Sequence, residues 1–154
     1  MSYAAFQTGI ARINDIICAI NLLGWDSRTM MPAGGVEARG HQTATLADLA
    51  RHLATGEELR RAMDGARDEL ASAPENDIRH RALAQAEAEI ATLRRIPARI
   101  ISEMAGLKTR AHAAWVAARA ANDFAGYAPL LGRMMAMQRE ISAAIGGGAQ
   151  PYDP

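Results

Sequence analysis

The sequence has little with which to build a β-sheet. Phe, Tyr and Trp make up 5% of its 154 residues, and Val occurs only at Val36 and Val116. No stretch alternates apolar and polar side chains, the period a half-buried strand requires. Cysteine is nearly absent too. Cys18 stands alone, which excludes an intrachain disulfide and fits a reducing compartment. It lies in the apolar run Ile16-Ile17-Cys18-Ala19-Ile20 and reads as a small buried hydrophobe rather than a reactive thiol. An excess of either charge is missing: 17 basic residues balance 17 acidic ones, and Lys108 is the only lysine. That balance argues against a nucleic-acid partner and against an anionic membrane surface. No run approaches the roughly 18 consecutive apolar residues of a membrane span. The N-terminal residues lack the basic and apolar regions of a signal peptide. The expected location is the cytoplasm.

Recognisable catalytic motifs are equally scarce. A hydrolytic zinc site needs several convergent ligands and an activated water. The compact helical solution is H-E-x-x-H. Here the histidines are His41, His52, His80 and His112, and no two are three or four residues apart. Ser27, Ser72, Ser102 and Ser142 have no G-x-S-x-G context. The glycines at 34–35 and 146–148 lack the Lys-Ser/Thr ending of a phosphate loop. One constellation remains as a metal candidate. Glu37 and His41 are four apart, as are Asp48 and His52, and all four project from one stripe of a helix. The two pairs lie about 16 Å apart along the axis at ~1.5 Å per residue. They cannot share one ion, and acid–His pairs facing solvent account for them without a metal.

What is present is helical periodicity, nearly everywhere. It predicts an all-α chain of about six antiparallel helices in a bundle with a long helical hairpin. At this length the chain can bury about two thirds of its unfolded surface. A first helix is expected over residues 3–27, with Phe6, Ile10, Ile13, Ile17 and Ile20 inward. Ile16 and Leu23 widen that stripe toward a second partner. Pro32 and Gly34-Gly35 end it. A second helix is expected over residues 36–54, with Leu46, Leu49 and Leu53 inward. Thr55 and Glu58 read as a capping box for a third helix, and the stretch 72–75 repeats the pattern. A fourth helix reaches Arg95, and Pro97 opens a fifth. That fifth helix would bury Ile101, Met104, Leu107, Ala111, Trp115 and Ala118. Arg94, Arg95 and Arg99 look like a solvated corner at the joint. Asn122-Asp123 stops the fifth helix and caps a last one, with Pro129 expected in its first turn and the glycines at 146–148 ending it. Residues 1–148 thus form a single helical domain, and 149–154 read as a tail or the start of a connection.

Two stretches are more specific than composition. The first is Leu22-Leu23-Gly24-Trp25-Asp26-Ser27-Arg28-Thr29-Met30-Met31-Pro32, followed by Gly34-Gly35-Val36-Glu37-Ala38-Arg39. The second is Ala114-Trp115-Val116-Ala117-Ala118-Arg119-Ala120-Ala121-Asn122-Asp123-Phe124, followed by Tyr127, Pro129 and Leu131. Together they resemble the N-terminal part of the carboxypeptidase Taq family of zinc metallocarboxypeptidases. There W-D-x-x-T-x-M-P precedes a Gly-Gly-x-x-x-Arg turn, and W-x-x-A-R-x-x-N-D-F follows about ninety residues later. The resemblance implies an all-helical, usually dimeric peptidase with a deep groove, whose N-terminal helices form part of the groove wall. It also implies a metal, typically zinc, held by an H-E-x-x-H and a third ligand well beyond the matched region. No catalytic or metal residue therefore transfers to this chain. Asp26-Ser27-Arg28-Thr29 is similar to the family's D-x-R-x-T substrate motif, but its spacing differs by one residue and its place in the chain is different.

The expectation is a carboxypeptidase-related, substrate-groove domain without the zinc site, inactive alone and completed by a missing catalytic region. Peptide substrates and zinc belong only to a full-length context. The alternative is a stand-alone helical module that homodimerises or binds a protein. Trp25, Asp26, Thr29, Pro32, Trp115, Arg119, Asn122, Asp123 and Phe124 are the candidate groove or structural residues. In the structural version Trp25 fills a core slot, Asp26 or Thr29 caps the first helix, and Arg119 and Asp123 form a buried pair.

Overall fold

A computed structural model describes residues 2–146. They form six α-helices: α1 Tyr3–Thr29, α2 Val36–Thr55, α3 Glu57–Leu70, α4 Ile78–Arg95, α5 Ala98–Ala121 and α6 Phe124–Ile145. A 3₁₀ turn at Ala33–Gly35 leads into α2, and there are no strands among the described residues. The all-α expectation holds. Residues 147–154, which include two of the three terminating glycines and the proposed tail, lie outside the described residues. Gly146, at φ 72°, caps α6.

The helix pairings run antiparallel. The Tyr3 amide donates to Glu69 and a Cβ on Gly9 would meet Leu59, so α1 and α3 run in opposite senses. Arg39 reaches back to Leu23, which folds α2 against α1. Gly40 faces Gly106 while Arg51 donates to the Ile96 carbonyl, which sets α2 against α5. Ion pairs Arg99–Glu140 and Arg133–Glu103 join α5 and α6 into a long hairpin.

Two apolar clusters hold this arrangement. One gathers Tyr3, Phe6 and Ile13 of α1, Ala54 of α2, the inner face of α3, and Leu83 and Ile90 of α4. The other gathers Ile96, Ile100, Met104 and Leu107 with Met137 of α6. Leu70, Ile100 and Leu107 are the largest fully buried side chains, each contributing roughly 1.5–3 kcal/mol on burial. The α2–α5 contact depends on small residues. Gly40, Thr43, Ala50 and Ala54 are the buried residues of α2, whereas Leu49, expected inward, is 44% exposed. A Cβ on Gly106 would stand 3.1 Å from the Gly40 carbonyl oxygen, so close approach of the two backbones requires glycine here.

Several local expectations are corrected. Thr55 ends α2 instead of capping α3: its hydroxyl donates to the Arg51 carbonyl at 2.9 Å, and Gly56 occupies the cap. The cap of α4 is Asp77, not the Ser72–Glu75 pattern. Its carboxylate accepts from the Arg79 amide at 2.9 Å, and the Arg79 guanidinium and amide hold that carboxyl down at about 2. Pro129 sits in the second turn of α6, not the first, and removes one ladder bond. Cys18 is exposed on the outer face of α1. The arginines at the α4–α5 joint are exposed but engaged: Arg95 donates to the terminal Ile145 carbonyl of α6 at 2.8 Å, and Arg94 to that of Thr55 at 3.4 Å. Asn122 adopts the left-handed conformation at φ 54° and Asp123 accepts from Gly126, so the stop-and-cap reading of that pair holds.

Candidate functional site

The second sequence motif spans the C-terminal half of α5 and the start of α6, and Arg28 at the end of α1 reaches a cleft beside it. Both apolar clusters lie elsewhere. This is why the motif side chains remain accessible. Trp25 is 59% exposed and Phe124 68% exposed. The expected core slot for Trp25 is therefore not found: it stands on the outer face of α1 with Leu22, seven and four residues beyond Cys18.

Asp26 does more than end a helix. Its carbonyl accepts from the Met30 and Met31 amides, both at 3.0 Å, and its carboxylate pairs with Arg39 at 2.6 Å. Arg39 also donates to the Leu23 carbonyl at 2.8 Å and to Ser27 Oγ at 3.3 Å. One guanidinium thus fastens the last two turns of α1 to the first turns of α2 and fixes the hairpin around Pro32. Sequence reasoning quoted Arg39 within the Gly-Gly-x-x-x-Arg turn but gave it no role. Thr29 is not a cap; its hydroxyl donates back to the Trp25 carbonyl at 3.0 Å.

At the second motif, Trp115 is flanked by its own helix. His112 stacks on it with ring centroids 5.8 Å apart, and the Arg119 guanidinium lies 5.3 Å from its ring centroid. The expected buried Arg119–Asp123 pair does not form: both residues are exposed, and the Asp123 carboxylate accepts from the Gly126 amide at 2.9 Å. Trp115, Arg119, Asn122, Phe124 and Tyr127 line one cleft. Trp115 and Tyr127 also wall an adjoining cleft of about 500 Å³, reached by Arg28 from α1. Arg28 thus brings one residue of the first motif beside Trp115 and Tyr127 of the second.

The metal candidates separate into two pairs. His41 lies 3.2 Å from Glu37, and His52 lies 3.2 Å from Asp48, all well exposed. Among the described residues, no group of three or more His, Cys, Asp or Glu side chains is placed to hold a metal ion. The donors present do not fit a hydrolytic zinc centre, and no catalytic step is assigned to them.

The six helices and their hairpin ties define the class: an all-α helical module. The chain belongs to the carboxypeptidase Taq (M32) metallopeptidase family, which it matches over residues 5–154. It is 35% identical over 131 residues to thermostable carboxypeptidase 1 of Thermus thermophilus, covering 80% of this chain and 24% of that protein. It is 25% identical over 144 residues to carboxypeptidase 1 of Bacillus subtilis, covering 94% of this chain and 28% of that protein. The BsuCP crystal structure shares the fold, with a TM-score of 0.87 at 24% identity over 97% of this chain and 30% of that one. The chain thus spans about a quarter of the length of the curated relatives it matches.

Proposed function

We propose that these residues form the N-terminal groove wall of a metallocarboxypeptidase, and that removal of C-terminal residues from peptides requires a catalytic region lying beyond them. The observation that carries this reading is the exposure of the family motif itself. Trp25 and Phe124 are large apolar side chains left accessible among the described residues. Large apolar side chains left exposed in a family motif are consistent with a surface built to be covered. The catalytic region is the occupant we favour, because the chain matches only about a quarter of each curated relative. Zinc would be held in that region. The cytoplasm is the compartment this reading favours, on the strength of a single cysteine.

The second reading is a helical module that pairs with its own copy or another protein. The outer face of α1, with Leu22 and Trp25 both accessible, supports it. A peptidase assay separates the metal-dependent possibilities. The purified 154-residue chain, supplied with zinc or cobalt and a blocked dipeptide, is expected to release no C-terminal amino acid. Metal-dependent release by the chain alone would overturn the proposal.

A further inference from the structure

The 500 Å³ cleft has a charge pattern that the groove-wall reading does not use. Its cationic groups are Arg28 at the end of α1 and Lys108 on α5, and no carboxylate lines it. Among the described residues neither cation has an ion-pair partner. Other arginines, Arg39, Arg60, Arg61, Arg67, Arg79, Arg99 and Arg133, do pair with acids. The remaining wall is aromatic and soft, built from the stacked His112 and Trp115, Tyr127 and Met134. Lys108, His112, Trp115 and Arg119 follow one another by four, three and four residues. They therefore form a single stripe of α5, which runs from this cleft toward its neighbour, where the Asp123 carboxylate stands beside Arg119 and Asn122.

We infer that the cleft between Arg28 and Lys108 is a subsite for acidic side chains of a peptide lying across α5. Two unpaired cations supply the attraction for carboxylates. The Trp115 and Tyr127 rings offer a flat apolar surface to the stems of glutamate-type side chains, as aromatic residues do at interfaces. An open channel of this volume admits several residues of extended chain, more than a lone inorganic anion fills. The chain's zero net charge argues against a nucleic acid as the occupant, since such partners are drawn by a general basic excess. The identity of the ligand as a peptide rests on the groove-wall reading; the charge preference does not.

The test is calorimetric titration of the 154-residue chain with an acetylated, C-terminally amidated peptide rich in glutamate and with its glutamine counterpart. Blocking both ends leaves side-chain charge as the only difference. The glutamate peptide is expected to bind on the order of five-fold more tightly, the scale of exposed charge contacts. The preference should weaken as salt rises and vanish in the Arg28→Gln, Lys108→Gln double variant. Both residues are exposed, and an unchanged melting curve confirms that the variant folds. Equal affinity for the two peptides would overturn the inference, as would no binding of either by folded chain, or tighter binding of oligothymidylate than of the glutamate peptide. These outcomes are independent of the peptidase assay. An active chain with no charge preference sinks the inference on its own merits, and an active chain that keeps the preference sinks only the need for a catalytic region.

Discussion

At the scale of single residues, Arg39 carries more of the structure than any residue singled out for a role from the sequence. Its side chain is 16% exposed, and it satisfies a carboxylate, a carbonyl and a hydroxyl belonging to a different helix. Removing it leaves Asp26, itself only 31% exposed, without its counter-charge and leaves the Leu23 carbonyl with the Ser27 hydroxyl as its remaining side-chain donor. Half-buried ion pairs with added hydrogen bonds are costly to break from one side. Screening by partial solvent access reduces that cost. Arg39→Ala should therefore destabilise the chain by roughly 2 kcal/mol, read from the urea midpoint at constant slope. Arg39→Lys should recover less than half of the loss, because an ammonium cannot span the same fork of acceptors. A neutral Arg39→Ala variant would mean that the α1–α2 hairpin is held by its turn alone.

At the scale of helices, the sequence was legible where one face is apolar and one polar. The six helices, the Pro97 break and the Asn122-Asp123 cap all follow from periodicity and capping chemistry. It was illegible where packing uses small residues. Hydrophobic spacing put Leu46, Leu49 and Leu53 on the inward face of α2; Leu53 does pack on the first cluster, but Leu49 is exposed and the buried residues are Gly40, Thr43, Ala50 and Ala54. A helix that approaches another through glycine shows no leucine stripe, since backbone nearness replaces side-chain volume. Caps failed for a related reason. Thr55 and Gly56 compete for the start of α3, and Ser72 and Asp77 for that of α4, and only the tertiary course of the chain decides between them. The glycine contact has a measurable consequence. Gly106→Ala gains up to about 1 kcal/mol of helix propensity, yet its new methyl meets the Gly40 carbonyl at 3.1 Å, a backbone atom that cannot rotate away. Overpacking of this kind costs about 1–3 kcal/mol, so the net effect should be destabilising. Gly132→Ala on α6 is the control: nothing lies within 4 Å of its Cβ position, and it should stabilise by up to about 1 kcal/mol. Thermal melts of the two variants should move in opposite directions; a shared upward shift would show that α2 and α5 separate freely.

At the scale of the whole molecule, the candidate site was only partly legible for a physical reason: a groove wall is defined by what it faces. Trp25 looks like a core residue in the sequence because, in the longer fold we propose, it is one. Within the described residues it is 59% exposed. The two environments predict different energetics for one substitution. In the 154-residue chain, Trp25→Ala removes a mostly solvated ring and should cost less than about 1 kcal/mol. In a chimera where these residues replace the matching stretch of the Thermus thermophilus relative, the catalytic region would cover the ring. The same substitution should then cost about 3–5 kcal/mol, the range for emptying a buried aromatic site. Comparing the variant with its parent in each background cancels the difference in size between the two proteins. The contrast also separates the two occupants of this face. If a second copy covers it, the loss in the short chain should grow with protein concentration, because association stabilises the folded form by mass action. If the catalytic region covers it, the loss in the short chain stays small at every concentration and the large effect appears only in the chimera. Small, equal losses in both backgrounds would mean that Trp25 faces solvent in the longer fold as well, and that the exposed motif is not a surface built for burial.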